Sequence, residues 1–249
     1  MTTQAQASSI NPEEASFFGS LADDWWNPRG SSAMLHRITP VRSAFIRDEA
    51  ARHFGLNARS RHPLDGLKAL DIGCGAGLQA EPLARMGADV TAIDAASENI
   101  AVAKAHAAAQ GLTIDYRCMA LEDLSKENKR FDVITCLEVI EHVANRDSFL
   151  ASLSQTLSPD GLAILSTPNR TSASWAVVIA GAEIITRTIP RGAHNWNQFL
   201  TPPELSEALV HADLKVESLH GLSWRADKGF VMGQDTSINY FIVAGKAAA

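Results

Sequence analysis

The chain has 249 residues, 46% of them hydrophobic and 20% charged, enough to bury the core of one large α/β domain. Lys and Arg number 22 against 28 Asp and Glu, a formal net charge of -6, and no dense run of either sign suggests a nucleic-acid groove. A small-molecule partner is the better expectation. The three cysteines, Cys74, Cys118 and Cys136, lack metal-ligand spacing and read as buried thiols of a reducing cytosol. Residues 1–10 are polar, without arginine or an apolar run. They read as a disordered start rather than a signal peptide or presequence, so the expected location is cytoplasmic.

The expected domain runs over 11–249 and opens with a helical cap over 11–58. Asn11-Pro12-Glu13-Glu14 starts a helix with a capping residue and a proline in the first turn. Phe17, Phe18, Leu21, Trp25 and Trp26 recur at helical spacing, as a helix packed across the domain or as a lid over a ligand. A second helix is expected over Val41–Phe54. It carries Arg42 and Arg47, either of which could clamp a ligand carboxylate through a bidentate pair or stand solvated at the surface.

After a polar connector, strands are expected at Leu67–Ile72, Asp89–Asp94, Thr113–Cys118, Phe131–Cys136 and Gly161–Thr167. Helices over Leu78–Met86, Ser97–Gln110 and Arg146–Leu157 separate them. That alternation predicts a doubly wound, mostly parallel α/β sheet, with Leu214–Ser218 and Tyr240–Ala244 as an antiparallel last pair. Its organising stretch is Leu70-Asp71-Ile72-Gly73-Cys74-Gly75-Ala76-Gly77, a strand entering a glycine-rich turn, with Asp94 closing the next strand. Glycines there let the backbone approach a nucleoside, and Asp94 can accept hydrogen bonds from ribose hydroxyls. The spacing is Gly-x-Gly-x-Gly rather than that of dinucleotide sites, and no phosphate-binding lysine follows. With Asp71 just ahead of the turn, a cationic sulfonium such as S-adenosylmethionine suits the site better than a pyrophosphate.

Strand four runs into Leu137-Glu138-Val139-Ile140-Glu141-His142. Were this a helical turn, Glu138, Glu141 and His142 would share one face at the carboxyl edge of the sheet. They could hold a divalent ion, with Mg²⁺ favoured by the oxygens and Zn²⁺ by the imidazole. Alternatively His142, with Glu141 beside it, could take a proton from a substrate hydroxyl, and the bland alternative is a solvated acidic helix start. An apolar insertion over 171–200 follows strand five. Trp175, Val178, Ile179, Ala182, Ile185 and Ile189 fall on one helical face, with Glu183, Arg187 and Arg191 beside it. Too short to span a bilayer, it could lie in the membrane interface, line a port for an apolar tail, or close the site. His194, Trp196 and Phe199 could wall an acceptor pocket.

Several segments in this order resemble the bacterial ubiquinone-biosynthesis O-methyltransferases and their mitochondrial relatives. They are Trp25-Trp26, Leu35-His36-Arg37-Ile38-x-Pro40-x-Arg42, the glycine turn from Leu70, Thr135 to Val143, Ser166-Thr167-x-Asn169-Arg170 and Asn239-Tyr240. The resemblance implies a Rossmann-like class I methyltransferase, with S-adenosylmethionine contacts from Arg42, Gly73, Asp94 and Leu137. It further implies Mg²⁺ at Glu138, Glu141 and His142. The residues themselves make His142, with Glu141 beside it, the candidate catalytic base, with His194 behind it. The implied substrates are a polyprenyl hydroxyphenol and 3-demethylubiquinol. Peripheral attachment to the inner membrane through about 171–192, beside other ubiquinone-biosynthesis proteins, completes the expectation. Two departures are Ala76, where many members have a third consecutive glycine, and Met119, where a small residue is common. A methyltransferase for another small acceptor and a non-catalytic scaffold are the competing readings.

Overall fold

The computed structural model describes residues 9–30, 32–177 and 195–247. Five strands run parallel: β1 (Lys68–Ile72), β2 (Asp89–Asp94), β3 (Asp115–Cys118), β4 (Phe131–Leu137) and β5 (Leu157–Pro168). Three more complete the sheet: β6 (Leu214–Arg225), β7 (Gly229–Gly233) and β8 (Asn239–Lys246). The order is β3-β2-β1-β4-β5-β8-β6-β7, with β8 antiparallel to both β5 and β6. This is the doubly wound, mostly parallel architecture with an antiparallel end that the sequence predicts. The hairpin partner β7 is an addition.

Residue alternation divides the core into two layers, as strand geometry requires. Val133, Ile164, Phe241 and Val243 face one side, where α2 (Ala33–Phe54), α3 (Ala80–Arg85) and α4 (Ser97–Ala109) pack. Ile134, Leu165, Tyr240 and Ile242 face the other, covered by α5 (Leu121–Ser125), α6 (Arg146–Thr156) and α8 (Pro202–His211). A single turn, α7 (Ser172–Ser174), follows β5.

Several boundaries differ from expectation for identifiable reasons. The first helix, α1 (Pro12–Gly19), stops well short of Trp25 and Trp26, and a 3-10 turn at Ala22–Asp24 carries the chain onward. The second helix begins before Pro40, not after it. Proline removes one donor from the helix, and the adjacent Thr39 Oγ1 donates to the Leu35 carbonyl at 2.7 Å, giving that turn an extra bond. Ser9, expected in a disordered start, is tied to the domain: its carbonyl accepts from the Ala144 N–H at 2.9 Å. Cys74 and Cys136 are buried, but Cys118 is exposed because β3 ends at the sheet margin. Of the apolar insertion, Val178, Ile179, Ala182, Glu183, Ile185, Arg187, Ile189, Arg191 and His194 lie outside the described residues. Among the described residues no helix is long and apolar enough to cross a membrane.

Candidate active site

A cavity of about 800 Å³ runs along the carboxyl edge of the sheet, where ligands of open α/β sheets bind. Gly73, Asp94, Leu137, Glu138, Arg42 and His142 all line it. Glu141 does not.

The glycine turn forms one end. Gly73 has φ +66, and a Cβ there would meet Val139 Cγ2 at 2.4 Å. At Gly75, φ is +52 and a Cβ would strike the Trp25 ring at 2.5 Å. Both positions therefore combine a left-handed backbone with close packing, which only glycine accommodates. Asp94 fixes the turn: its Oδ2 accepts from the Gly75 N–H at 2.9 Å, and its Oδ1 accepts from Ala96 N–H and Asn99 Nδ2. Burial raises the Asp94 pKa against these bonds. Asp71 is nearly inaccessible. Its Oδ1 accepts from Thr135 Oγ1 at 2.7 Å, whereas its Oδ2 is buried without a partner. Burial pushes the Asp71 carboxyl up to about 7, against the Thr135 hydrogen bond and helped by the Asp94 charge. A buried, half-satisfied acid beside a glycine turn suits a cationic nucleoside ligand and would give it an electrostatic partner.

The centre of the site is Glu138. This non-glycine residue has φ +56, a conformation costing on the order of 1–3 kcal/mol unless its surroundings impose it. They do: its Oε1 accepts from Arg42 Nη2 at 2.8 Å and Ser166 Oγ at 2.6 Å, and Asn239 Nδ2 reaches both carboxylate oxygens at 3.0 Å. Four elements, α2, β4, β5 and β8, are thereby tied at one carboxylate. Burial lowers the Arg42 pKa while Glu138 and Glu141 raise it, and its Nε is buried without a partner on the cavity wall. Arg47, the other cation of this helix, pairs with Asp48 at the surface.

Glu138, Glu141 and His142 do not form the expected single helical face. Glu138 sits in the left-handed turn and only Ile140–His142 forms a 3-10 turn. Glu141 points inward, 1% exposed, and its Oε2 accepts from Thr167 Oγ1 at 2.9 Å. His142 faces the cavity with its Nε2 3.9 Å from Glu141 Oε1. Its Nδ1 contacts Glu14 Oε2 of α1, and Phe18 packs edge-on at 5.1 Å. Burial is the largest single influence and lowers the His142 pKa, but Glu14, Glu141 and Glu138 together hold it raised. Among the described residues no three His, Cys, Asp or Glu side chains are arranged to hold a metal ion. With Glu138 committed to Arg42 and Asn239, and Glu141 turned away, the donors as placed do not fit Mg²⁺.

Sequence reasoning missed Glu14, Ser166 and Asn239 as site residues. Glu14 had no signal beyond its place in a first helical turn. The lid reading of the first segment fits the geometry: Glu14, Ala15, Phe18, Leu21 and Trp25 line the cavity. Trp26 Nε1 donates to the Ala76 carbonyl at 3.0 Å and its ring stacks on His106 at 3.5 Å, so the same segment grips the glycine turn from outside. Two expected wall residues fall elsewhere. Phe199 is fully buried in the core and Trp196 Nε1 donates to the Thr171 carbonyl.

Residues 70–165 match the family model described as a methyltransferase domain. A ubiquinone biosynthesis O-methyltransferase from Azorhizobium caulinodans is 47% identical over 240 residues, covering 96% of this chain and 94% of its own. The mitochondrial ubiquinone biosynthesis O-methyltransferase of Arabidopsis thaliana is 42% identical over 245 residues, covering 97% of this chain and 76% of its own. Among solved structures, magnesium protoporphyrin IX methyltransferase from Synechocystis PCC 6803 with bound SAM shares the fold, with a TM-score of 0.59 at 16% identity and coverage of 98% and 100%. Full-length identity of this order, on a methyltransferase fold, establishes that the chain belongs to the ubiquinone biosynthesis O-methyltransferase family.

Proposed function

We propose that this chain is an S-adenosylmethionine-dependent O-methyltransferase acting on a polyprenyl hydroxyphenol and on 3-demethylubiquinol. The observation that carries this is one continuous cavity joining the Gly73–Asp94 cradle to His142 and onward to an apolar wall. When bound, S-adenosylmethionine supplies a methyl group on a positively charged sulfur. Asp94 takes the ribose through Oδ2, which accepts only from Gly75 N–H, and Arg42 Nε and the Asp71 carboxylate face the cofactor's charged groups. His142 accepts the proton of the acceptor hydroxyl, and the resulting oxygen attacks in line. A C–O bond forms, the C–S bond breaks, and its electron pair neutralises the sulfonium. Glu14 holds the Nδ1–H of His142 and so leaves Nε2 as the basic nitrogen, with Glu141 Oε1 3.9 Å from that same atom. Mg²⁺ at Glu138, Glu141 and His142 would require Arg42 and Asn239 to leave Glu138. The segment about 171–192 is assigned to the membrane surface. Its described start supports this, with Trp175 and Val177 each 49% exposed.

Binding of the cofactor should depend on pH through Asp71. Its carboxyl, raised to about 7, is ionised above that pH and neutral below it. A cation binds the ionised form, so calorimetry should find the S-adenosylmethionine Kd weakening by up to about tenfold per pH unit below this point. Asp71→Asn should flatten the profile; an unchanged slope would contradict the assignment. For the proton transfer, His142→Gln should lower kcat for labelled methyl transfer by about a hundredfold or more. Glu14→Gln should lower it by about tenfold with cofactor affinity unchanged, since it orients the base without touching the nucleoside. Full activity in either variant would remove that residue from the mechanism. Flotation with liposomes should fall when residues 178–192 are deleted, and undiminished flotation would rule out their anchoring role.

A further inference from the structure

The antiparallel end of the sheet does not stop where the site begins. Leu222 of β6 pairs with Asn239 of β8, which pairs with Pro168 of β5, and these three mark the carboxyl edge. Asn239 is also the residue that holds Glu138. Beyond that line β6 continues through Ser223, Trp224 and Arg225 before returning as β7, with Trp224 paired to Phe230. At ~3.4 Å per residue Trp224 stands about 7 Å past the edge, overhanging the cavity.

Side chains alternate along a strand, so Leu222 and Trp224 share a face, and their cross-strand partners share it with them. Near the edge this face is ordinary core: Leu222 is 6% exposed, and its partner Met232 packs against the same buried cluster. At the tip the same face is left open. Trp224 is 63% exposed yet lines the cavity, which a tryptophan serving only to pack the core would not do. The opposite wall comes from α2, where Met34 and Ile38 stand at i-8 and i-4 from Arg42 and line the cavity with it. Eight residues of helix span about 12 Å, so an apolar trough leads from the polar centre at Arg42 and Glu138 out to the hairpin tip.

We propose that this trough, between Met34, Leu35 and Ile38 on α2 and Leu222, Trp224 and Phe230 on the hairpin, seats the first part of the acceptor's isoprenoid tail. The inference rests on the ubiquinone reading above and assigns tail recognition to the β6–β7 hairpin rather than to the segment after β5. Its chemistry is that of a long branched hydrocarbon: the six are apolar, with Arg37 and Asp235 the charged residues that line the cavity beside them, and methionine and aromatic walls adapt to such a chain. The trough would thus set the preference for tailed over tail-free phenols while leaving the reacting oxygen to His142.

The test compares Trp224→Ser and Phe230→Ser with the unaltered chain in detergent micelles at one fixed detergent concentration, so that partition of the tail is the same for every protein. Long-tailed and tail-free demethylubiquinol are the acceptors, thermal melts report folding, and calorimetry reports cofactor affinity. For both variants the KM for the tailed acceptor should rise about tenfold, the order expected when a large apolar contact is lost. The tail-free KM and the cofactor Kd should change by less than about twofold. An unchanged ratio of tailed to tail-free KM in folded variants overturns the subsite. Should the variants instead lose liposome binding with that ratio unchanged, the tip is a bilayer contact and the proposal fails. Unaltered protein that methylates neither acceptor overturns the ubiquinone reading, and the subsite with it.

Discussion

One carboxylate, that of Glu138, holds the active site together. It lies where β4 leaves the sheet and gathers donors from α2, β5 and β8: Arg42, Ser166 and Asn239. Each donor alone would be a modest contact, but together they satisfy a mostly buried anion and impose a left-handed backbone that glutamate does not choose unaided. Removing one partner of such a pair costs about 3–5 kcal/mol when it strands the other charge. The turn that follows, Ile140–His142, inherits its direction from this residue, so the aim of His142 into the cavity depends on it.

The second constraint comes from the N-terminal segment, which meets the domain at two points. Glu14 and Phe18 close on His142, while Trp26 hydrogen-bonds the glycine turn at Ala76 and stacks on His106. Cofactor cradle and base are therefore roofed by the same stretch of chain. Gly75 shows how close the roof lies, since the Trp25 ring leaves no room for a Cβ. Water exclusion strengthens electrostatic interactions inside such a site, and here the roof itself supplies one of the charges.

What the sequence made legible was local. The strand-to-glycine turn at Leu70–Gly77, Asp94 and the alternation of strands and helices are short-range signals, and the parallel sheet follows from them. Pro40 misled because a proline reads as a helix boundary, whereas here α2 carries it in its interior. The hairpin was hidden by its composition: Gly221, Ser223, Arg225 and Gly229 interrupt the β-branched runs that mark a strand, and pairing between β6 and β7, joined at Gly221 by β8, overrides them. Glu138 exposes the deepest limit. Its spacing to Glu141 and His142 suggests a shared helical face only if the backbone is helical, and partners distant in sequence decide that it is not. The contact from Glu14 to His142 is likewise a product of folding, with no local trace.

The account turns on Glu138 being a knot among protein groups, and a double-mutant cycle between Arg42 and Glu138 tests this most directly. Unfolding free energies in urea would be measured for Arg42→Met, Glu138→Gln and the pair together. Coupling of about 1.5 kcal/mol or more, with the double variant little worse than the worse single, is the predicted result. Losses that simply add would mean that the two side chains do not depend on one another, and would contradict the account.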